Sequence, residues 1–105
     1  MDSILLLSPD PAATDSIKQL LANTLPTYEI SFYTVKVSRA KAAILLINTA
    51  DGPTEVAADQ LIAMRKMQVS NVFALLYNST VIQDRDLITL IKEETAALLK
   101  KYGYW

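Results

Sequence analysis

Three observations predict a single three-layer α/β domain with four mostly parallel strands and three helices. Three short continuous apolar runs have the length of buried strands. Segments with apolar residues at helical spacing separate them, and this alternation is typical of a parallel sheet covered by helices. The chain of 105 residues contains 2 glycines and 4 prolines, with no repeat or low-complexity linker. We therefore expect one compact domain over residues 1–105.

The first strand and the first helix are marked by a sharp change in composition. Ile4–Leu7 is a continuous apolar run, which predicts a buried strand. Asp10 is predicted to cap the next helix and Pro11 to be its first residue, because the N–H that proline lacks would have no partner there. Pro26 is predicted to end this helix.

The direction of the second strand is the open question of the topology. This strand is predicted near Glu29–Thr34, and the third at Ala42–Ile47. Only residues 35–41 separate them, whereas a parallel crossover normally needs a dozen or more residues. Either this segment is a tight extended link or the second strand is antiparallel. We favour a parallel strand, because Pro26 and Thr27 are too few residues to reverse the chain after the first helix.

The second half of the chain predicts a helix, a strand and a final helix. Gly52 and Pro53 start a helix that runs to about Met67, and the apolar run Val72–Tyr77 predicts the fourth strand. The final helix, from about Gln83 to Lys101, has the clearest periodicity. Its predicted core stripe consists of Leu87, Ile88, Ile91, Thr95, Leu98, Leu99 and Tyr102.

Composition excludes several classes of function. The net charge is −1 and both signs are scattered, so no basic patch for nucleic acid is predicted. The absence of cysteine and histidine excludes disulfides, thiolate chemistry, Ser-His catalysis and zinc sites built on these residues. Because no signal peptide or bilayer-length apolar run is present, no membrane contact is predicted and the expected location is the cytoplasm.

A family resemblance emerges in the second half of the chain. Thr49-Ala50-Asp51-Gly52-Pro53 follows the third strand, and matching pieces recur at Arg65–Val69, Asp84–Ile88 and Leu98–Tyr102. From about Ala42 to Tyr104, the chain resembles part of the GTP-binding domain of elongation factor Tu and its relatives. The resemblance implies a P-loop-GTPase or Rossmann-like sheet with strand order 2-1-3-4.

The three motifs that carry GTPase chemistry in that family have no intact counterpart here. The phosphate loop, which needs glycines and a Lys-Ser/Thr pair, corresponds to Ser8–Asp15, where both glycines are gone and Thr14 occupies the lysine position. The short segment Ser38–Lys41 replaces the Asp-x-x-Gly motif. In the guanine-reading motif, Thr80 replaces the carboxylate. No GTP hydrolysis, no other enzymatic activity and no cofactor are therefore expected.

Polar residues at the predicted carboxyl ends of the strands remain candidates for a ligand site. Asp10, Asn48 and Asp51 offer oxygens that suit Mg²⁺ or Ca²⁺. The favoured interpretation is structural, with Asp10 as a helix cap, Asp51 as a turn residue and Asn48 as a hydrogen-bonding strand end. No metal site is predicted, and the weak candidates for ligand contact are Ser8, Asp10, Asn48, Asp51, Asn78 and Ser79.

The fourth strand predicts an interaction surface. Val72–Tyr77 is apolar on both faces, yet it lies at the sheet edge, and the chain stops before the further strand and helix that follow in the family. Either the aromatic tail Tyr102–Trp105 folds back as a lid, or the surface binds a protein partner or a second copy of the chain. The candidate interface residues are Val72, Phe73, Leu75, Tyr77, Tyr104 and Trp105.

The predicted function is that of a non-catalytic interaction or structural domain. Three alternatives remain open from the sequence. The first is a nucleotide- or phosphate-binding protein with a non-standard site, and the second is a small metal-dependent enzyme that uses the rim carboxylates. The third is an engineered chain that has no function beyond folding.

Overall fold

The computed structural model describes residues 2–37, 39–78 and 85–104 and shows an open α/β sheet. Its four strands are all parallel and lie in the order β2-β1-β3-β4, which confirms the predicted fold class. The elements in chain order are β1 (Asp2–Leu7), α1 (Asp15–Thr24), β2 (Tyr28–Phe32), β3 (Ala42–Asn48), α2 (Glu55–Lys66), β4 (Val72–Tyr77) and α3 (Arg85–Lys101).

The second strand is parallel to β1, as predicted, and the short link after it is sufficient. β2 and β3 both pair with β1, on its two sides, so the link has to cross only one strand. Residues 33–41 span at most about 30 Å when extended, which exceeds the ~17 Å return along a five-residue strand. Tyr33, Val37 and Ala40 pack against the apolar core as the link crosses β1. The link thus takes the place of a crossover helix.

Three predicted boundaries are wrong. The first helix begins at Asp15 and not at Pro11, because residues 11–14 form a separate turn. The second helix begins at Glu55 and not at Gly52. The second strand runs from Tyr28 to Phe32 and therefore ends two residues earlier than predicted.

The two faces of the sheet bury different sets of side chains. Leu5, Leu45 and Ile47 point to the face covered by α2 and α3, which we call the α2/α3 face. Ile4, Leu6 and Leu46 point to the opposite face, covered by α1, which we call the α1 face. The two-residue period of a strand explains why neighbouring residues of one apolar run serve opposite layers.

Part of the predicted stripe on α3 does enter the core. Ile91 and Thr95 are buried, and Leu98, Leu99 and Tyr102 are partly buried against the α2/α3 cluster. Leu87 is 41% exposed and does not belong to the stripe, which corrects the prediction for that residue. None of the helices in the described residues has both the length and the apolar character needed to cross a bilayer.

A tight turn returns the chain to the core after α3. Gly103 has φ +88°, a conformation that glycine adopts without strain, and the Tyr104 N–H donates to the Leu99 carbonyl at 2.8 Å. The Tyr104 ring is buried and its hydroxyl donates to the Val69 carbonyl at 2.8 Å. The end of α3 is thereby fixed to the segment that leads into β4.

Burial raises the pKa of the Tyr104 phenol above its ordinary value of 10.0, although the nearby Arg65 guanidinium acts to lower it. The folded state therefore holds this proton more tightly than the unfolded chain does. The associated stability is complete below the unfolded pKa and is lost as pH rises through the folded pKa. We expect Tyr104→Phe to lower the free energy of unfolding by about 1 kcal/mol at neutral pH. We also expect the variant to lose less stability than wild type above pH ~10.

Denaturant unfolding from neutral to alkaline pH measures this difference, and Tyr102→Phe is the matched control. Tyr102 lies two residues away and is only partly buried. Identical pH profiles for the two variants would contradict the assignment to Tyr104.

Candidate functional site

The polar residues that end the parallel strands meet at one edge of the sheet, which we call the carboxyl rim. Ser8 follows β1, Asn48 ends β3 and Asn78 follows β4. Ligands of open α/β sheets bind at this edge. The carboxyl rim is therefore the place to test for a site.

Residues 8–14, between β1 and α1, form a loop that is closed by its own side chains. Thr14 is fully buried, and its hydroxyl donates to the Asp10 carbonyl at 3.0 Å. The Ser8 hydroxyl lies 2.7 Å from the Thr14 hydroxyl, and Gln60 Nε2 donates to the Ser8 carbonyl at 3.0 Å. Because the threonine proton is used on Asp10, the Ser8 hydroxyl is the donor in this pair. The Thr14 side chain is thus enclosed within this loop.

Three backbone N–H groups of this loop are also used internally. Pro9 and Pro11 have none to offer. The Asp10 N–H donates to the Ser8 hydroxyl at 3.1 Å, and the Thr14 N–H donates to the Asp10 carbonyl at 3.1 Å. The Ala13 N–H donates to the Asp10 carboxylate at 3.3 Å. Asp10 therefore caps this turn and does not cap α1, which corrects the predicted role.

Asn48 organises the turn between β3 and α2. Its side-chain oxygen accepts from the Ala50 N–H at 3.0 Å and from the Asn78 amide at 3.3 Å. Its carbonyl accepts from the N–H groups of Asp51 and Gly52, and Gly52 has φ +70°. Both oxygens of Asn48 are thus used within the turn, so the residue serves local structure.

The carboxyl rim carries negative charge. The pKa of the Tyr77 phenol is raised by burial and by the Asp10 and Asp51 carboxylates, while a hydrogen bond with Asn48 opposes the rise. Both carboxylates therefore act on one point of the rim. Within the described part of the chain, no Lys or Arg forms an ion pair with either of them. A phosphate group at this edge would meet repulsion without a compensating cation.

The cavity at the carboxyl rim is too small for a nucleotide. It has a volume of about 10 Å³ and lies between Pro9, Asn48, Gly52 and Gln60. That volume holds about one water molecule, whereas small-molecule sites measure roughly 300–1,000 Å³. Two larger cavities, of about 230 and 220 Å³, lie elsewhere, beside Lys41 at the amino end of β1 and beside Phe73.

The candidate rim residues fall into two separate hydrogen-bonded groups. Ser8 and Asp10 belong to the closed loop, while Asn48, Asp51 and Asn78 belong to the turn after β3. Across residues 2–37, 39–78 and 85–104, no three acidic side chains cluster closely enough to hold a metal ion. Ser79 lies outside the described residues.

Two contributors at the carboxyl rim were not anticipated from the sequence. In the sequence, Thr14 stands out only as the residue in place of the lysine, and nothing singles out Gln60. The sequence carries a signal for Thr14, since a threonine four residues after Asp10 can back-bond within a turn. No local signal identifies Gln60, because its partner Ser8 is 52 residues away in the chain.

On the α1 face of the sheet, the apolar side chains of β4 are more exposed than those of the other strands. Phe73 is 62% exposed and Leu75 is 39% exposed. By contrast, Leu46, which is the β3 register partner of Leu75, is 1% exposed. The exposed β4 surface, as we call it, comprises Phe73 and Leu75 with the half-buried Tyr77 at its carboxyl end. Val72 packs against the α2/α3 cluster and therefore lies on the other face, which corrects its assignment to this surface.

Of the other two predicted interface residues, the structure describes only Tyr104. Tyr104 is buried in the α2/α3 cluster and is not part of the exposed surface, although it lines one cavity with Val72 and Phe73. Trp105 lies outside the described residues. In the described part of the chain, β4 pairs with β3 alone, so its outer edge has no partner strand.

Comparison with known proteins supports the predicted resemblance over part of the chain. No protein-family model matches the sequence. Over 62 residues, or 59% of the chain, the sequence is 32% identical to the apicoplast elongation factor Tu of Theileria parva. The matched part is 15% of that protein. The chain is therefore similar to a limited part of a translation elongation factor.

Proposed function

We propose that this chain, which resembles part of elongation factor Tu, is a non-catalytic protein-interaction domain that binds its partner through the exposed β4 surface. The observation that carries this proposal is the exposure of Phe73 and Leu75 on a strand whose inner neighbour buries Leu46 on the same face. Contiguous apolar surface of this kind on an otherwise packed domain is typical of a protein-binding site.

The state of the carboxyl rim supports the non-catalytic part of the proposal. A phosphate loop works by pointing several free N–H groups and a lysine at the phosphates. Here Thr14 occupies the interior of the loop, and three N–H groups donate within it. The carboxylates Asp10 and Asp51 add repulsion. These features support a rim that does not recognise phosphate, because the loop interior is filled, three of its N–H donors are already used and no lysine stands in it.

Calorimetric titration with GTP, GDP and ATP in the presence of Mg²⁺ tests this part. We expect no binding at micromolar nucleotide, because the rim cavity holds about one water molecule. An intact elongation factor under the same conditions is the positive control. Saturable micromolar binding of any of the three nucleotides would contradict the proposal.

A further inference from the structure

We propose that the partner is a second copy of this chain, whose β4 adds antiparallel to the free edge of β4 around a twofold axis at Ala74. This inference rests on the proposed function, since it names the occupant of the same surface. Isologous pairing is the commonest form of homo-oligomer, and strand addition is a recurring mode of recognition. Four features of β4 support it: the direction of its backbone groups, its register, its lack of charge and its exposed area.

The backbone groups of β4 alternate between its partner strand and the open edge. The Asn71 carbonyl accepts from the Ala43 N–H at 2.9 Å, and the Tyr77 carbonyl accepts from the Thr49 N–H at 3.0 Å. Odd-numbered residues of β4 therefore direct their N–H and C=O towards β3. By the same alternation, the N–H and C=O groups of Val72, Ala74 and Leu76 point outwards.

Only one antiparallel register satisfies all the outward groups. It pairs Ala74 with Ala74 of the second copy and Val72 with Leu76, which gives three residue pairs that each exchange two hydrogen bonds. With a shift by one residue, the outward-pointing N–H and C=O groups of one strand would lie opposite residues of the other strand whose groups point towards β3. A shift by two in one direction opposes Val72 to Asn78, which has φ 62° and cannot extend β4. In the other direction it opposes Leu76 to Ser70, which lies outside β4.

The same register also brings the exposed side chains of the two copies into contact. Phe73 lies directly opposite Leu75 of the second copy in a non-hydrogen-bonded pair, in which side chains approach most closely. The twofold axis repeats this pair. Ala74, which lies on the axis, is exposed and small, so it allows close approach of the two strands.

No charge opposes the approach of two identical edges. The chain carries no Asp, Glu, Lys or Arg from Met67 to Gln83. Natural edge strands commonly use charged residues to prevent pairing of this kind, and β4 lacks them. The side chains of β4 itself therefore add no like-charge repulsion to this contact.

The exposed area indicates a weak dimer. From the exposed fractions of its side chains, β4 offers at most roughly 400 Å² per copy, or about 800 Å² in total, below the ~1,200 Å² of standard interfaces. We therefore expect a concentration-dependent dimer in rapid exchange with the monomer.

A charge-complementation experiment tests both the partner and the register. Because Ala74 meets itself across the axis, Ala74→Lys and Ala74→Glu should each weaken the dimer about tenfold or more through like-charge contact. An equimolar mixture of the two variants should form a dimer again. Sedimentation velocity from micromolar to millimolar protein provides the measurement, and circular dichroism confirms that each variant is folded.

Ala97→Lys is the matched control, since Ala97 is an exposed alanine on α3, and it should dimerise like wild type. Wild-type protein that remains monomeric at millimolar concentration would overturn self-pairing. Dimers that persist in both single variants, or a mixture that stays monomeric, would overturn the register at Ala74. None of these results bears on nucleotide binding, so a failure of the non-catalytic part of the proposed function is detected separately by the titration. A failure of the β4 surface as a binding site is detected by the stability of Leu75→Ala, measured at monomeric concentration.

Discussion

Leu46→Ala is expected to lower the free energy of unfolding by about 2–5 kcal/mol, whereas Leu75→Ala should lower it by less than about 1 kcal/mol. The two leucines are register partners on adjacent strands and point to the same face of the sheet. Leu46 is 1% exposed under α1 and Leu75 is 39% exposed. Removal of Leu46 would leave a cavity that the surrounding residues cannot fill, while water already reaches the Leu75 site.

Denaturant unfolding measures both values. The protein concentration is kept low, so that the chain is monomeric. If the two variants lost equal free energy of unfolding, Leu75 would be packed by its own chain. The exposed β4 surface would then contribute to stability and not to binding. A large difference shows that Leu75 is dispensable for folding, which is the property expected of a residue retained for contact with a partner.

The second large effect is expected at the closed loop. Thr14 occupies the position at which the resemblance places a phosphate-binding lysine. We expect Thr14→Lys to lower the free energy of unfolding by about 3 kcal/mol without conferring nucleotide binding. The residue is fully buried, and the longer charged side chain would break its hydrogen bonds to Ser8 and Asp10.

Two companion variants separate the causes of this loss. Thr14→Val keeps the volume and removes the hydroxyl, so its expected cost of about 1–2 kcal/mol measures the hydrogen bonds alone. Thr24→Lys places the same charge at the exposed end of α1, where it should change stability by less than about 0.5 kcal/mol. A stable Thr14→Lys protein that binds GTP would show that the loop is open.

The sheet was predictable because its strands are short, apolar and well separated in the sequence. Val72–Tyr77 was placed without error, since apolar residues fill the whole strand and polar residues bound it. The start of α1 was not predictable by the same means. Asp10 followed by Pro11 fits the first turn of a helix, yet it also fits the separate turn found here. The contact of the buried Thr14 hydroxyl with Ser8 stabilises the separate turn and not a first helical turn. The local sequence pattern does not show this contact.

The sequence predicted where the candidate site lies but not how its residues are hydrogen-bonded. The rim residues do lie at the carboxyl ends of the strands, because parallel topology brings them there. Their hydrogen-bond partners depend on tertiary structure, as the contact of Gln60 with Ser8 illustrates. Tyr104 shows the same limit, since an aromatic residue near β4 can belong either to the core or to the interface. Its hydrogen bond to Val69 places it in the core.

The uneven burial of the three helices has a consequence for local unfolding. α2 and α3 each carry buried side chains, and α3 is fixed to the β4 segment by Tyr104, whereas α1 carries no buried residue. Segments with few buried contacts open at the lowest free energy. Opening of α1 alone would uncover Leu6 and Leu46 beside Leu75, and the apolar surface of β4 would then extend across β3 to β1.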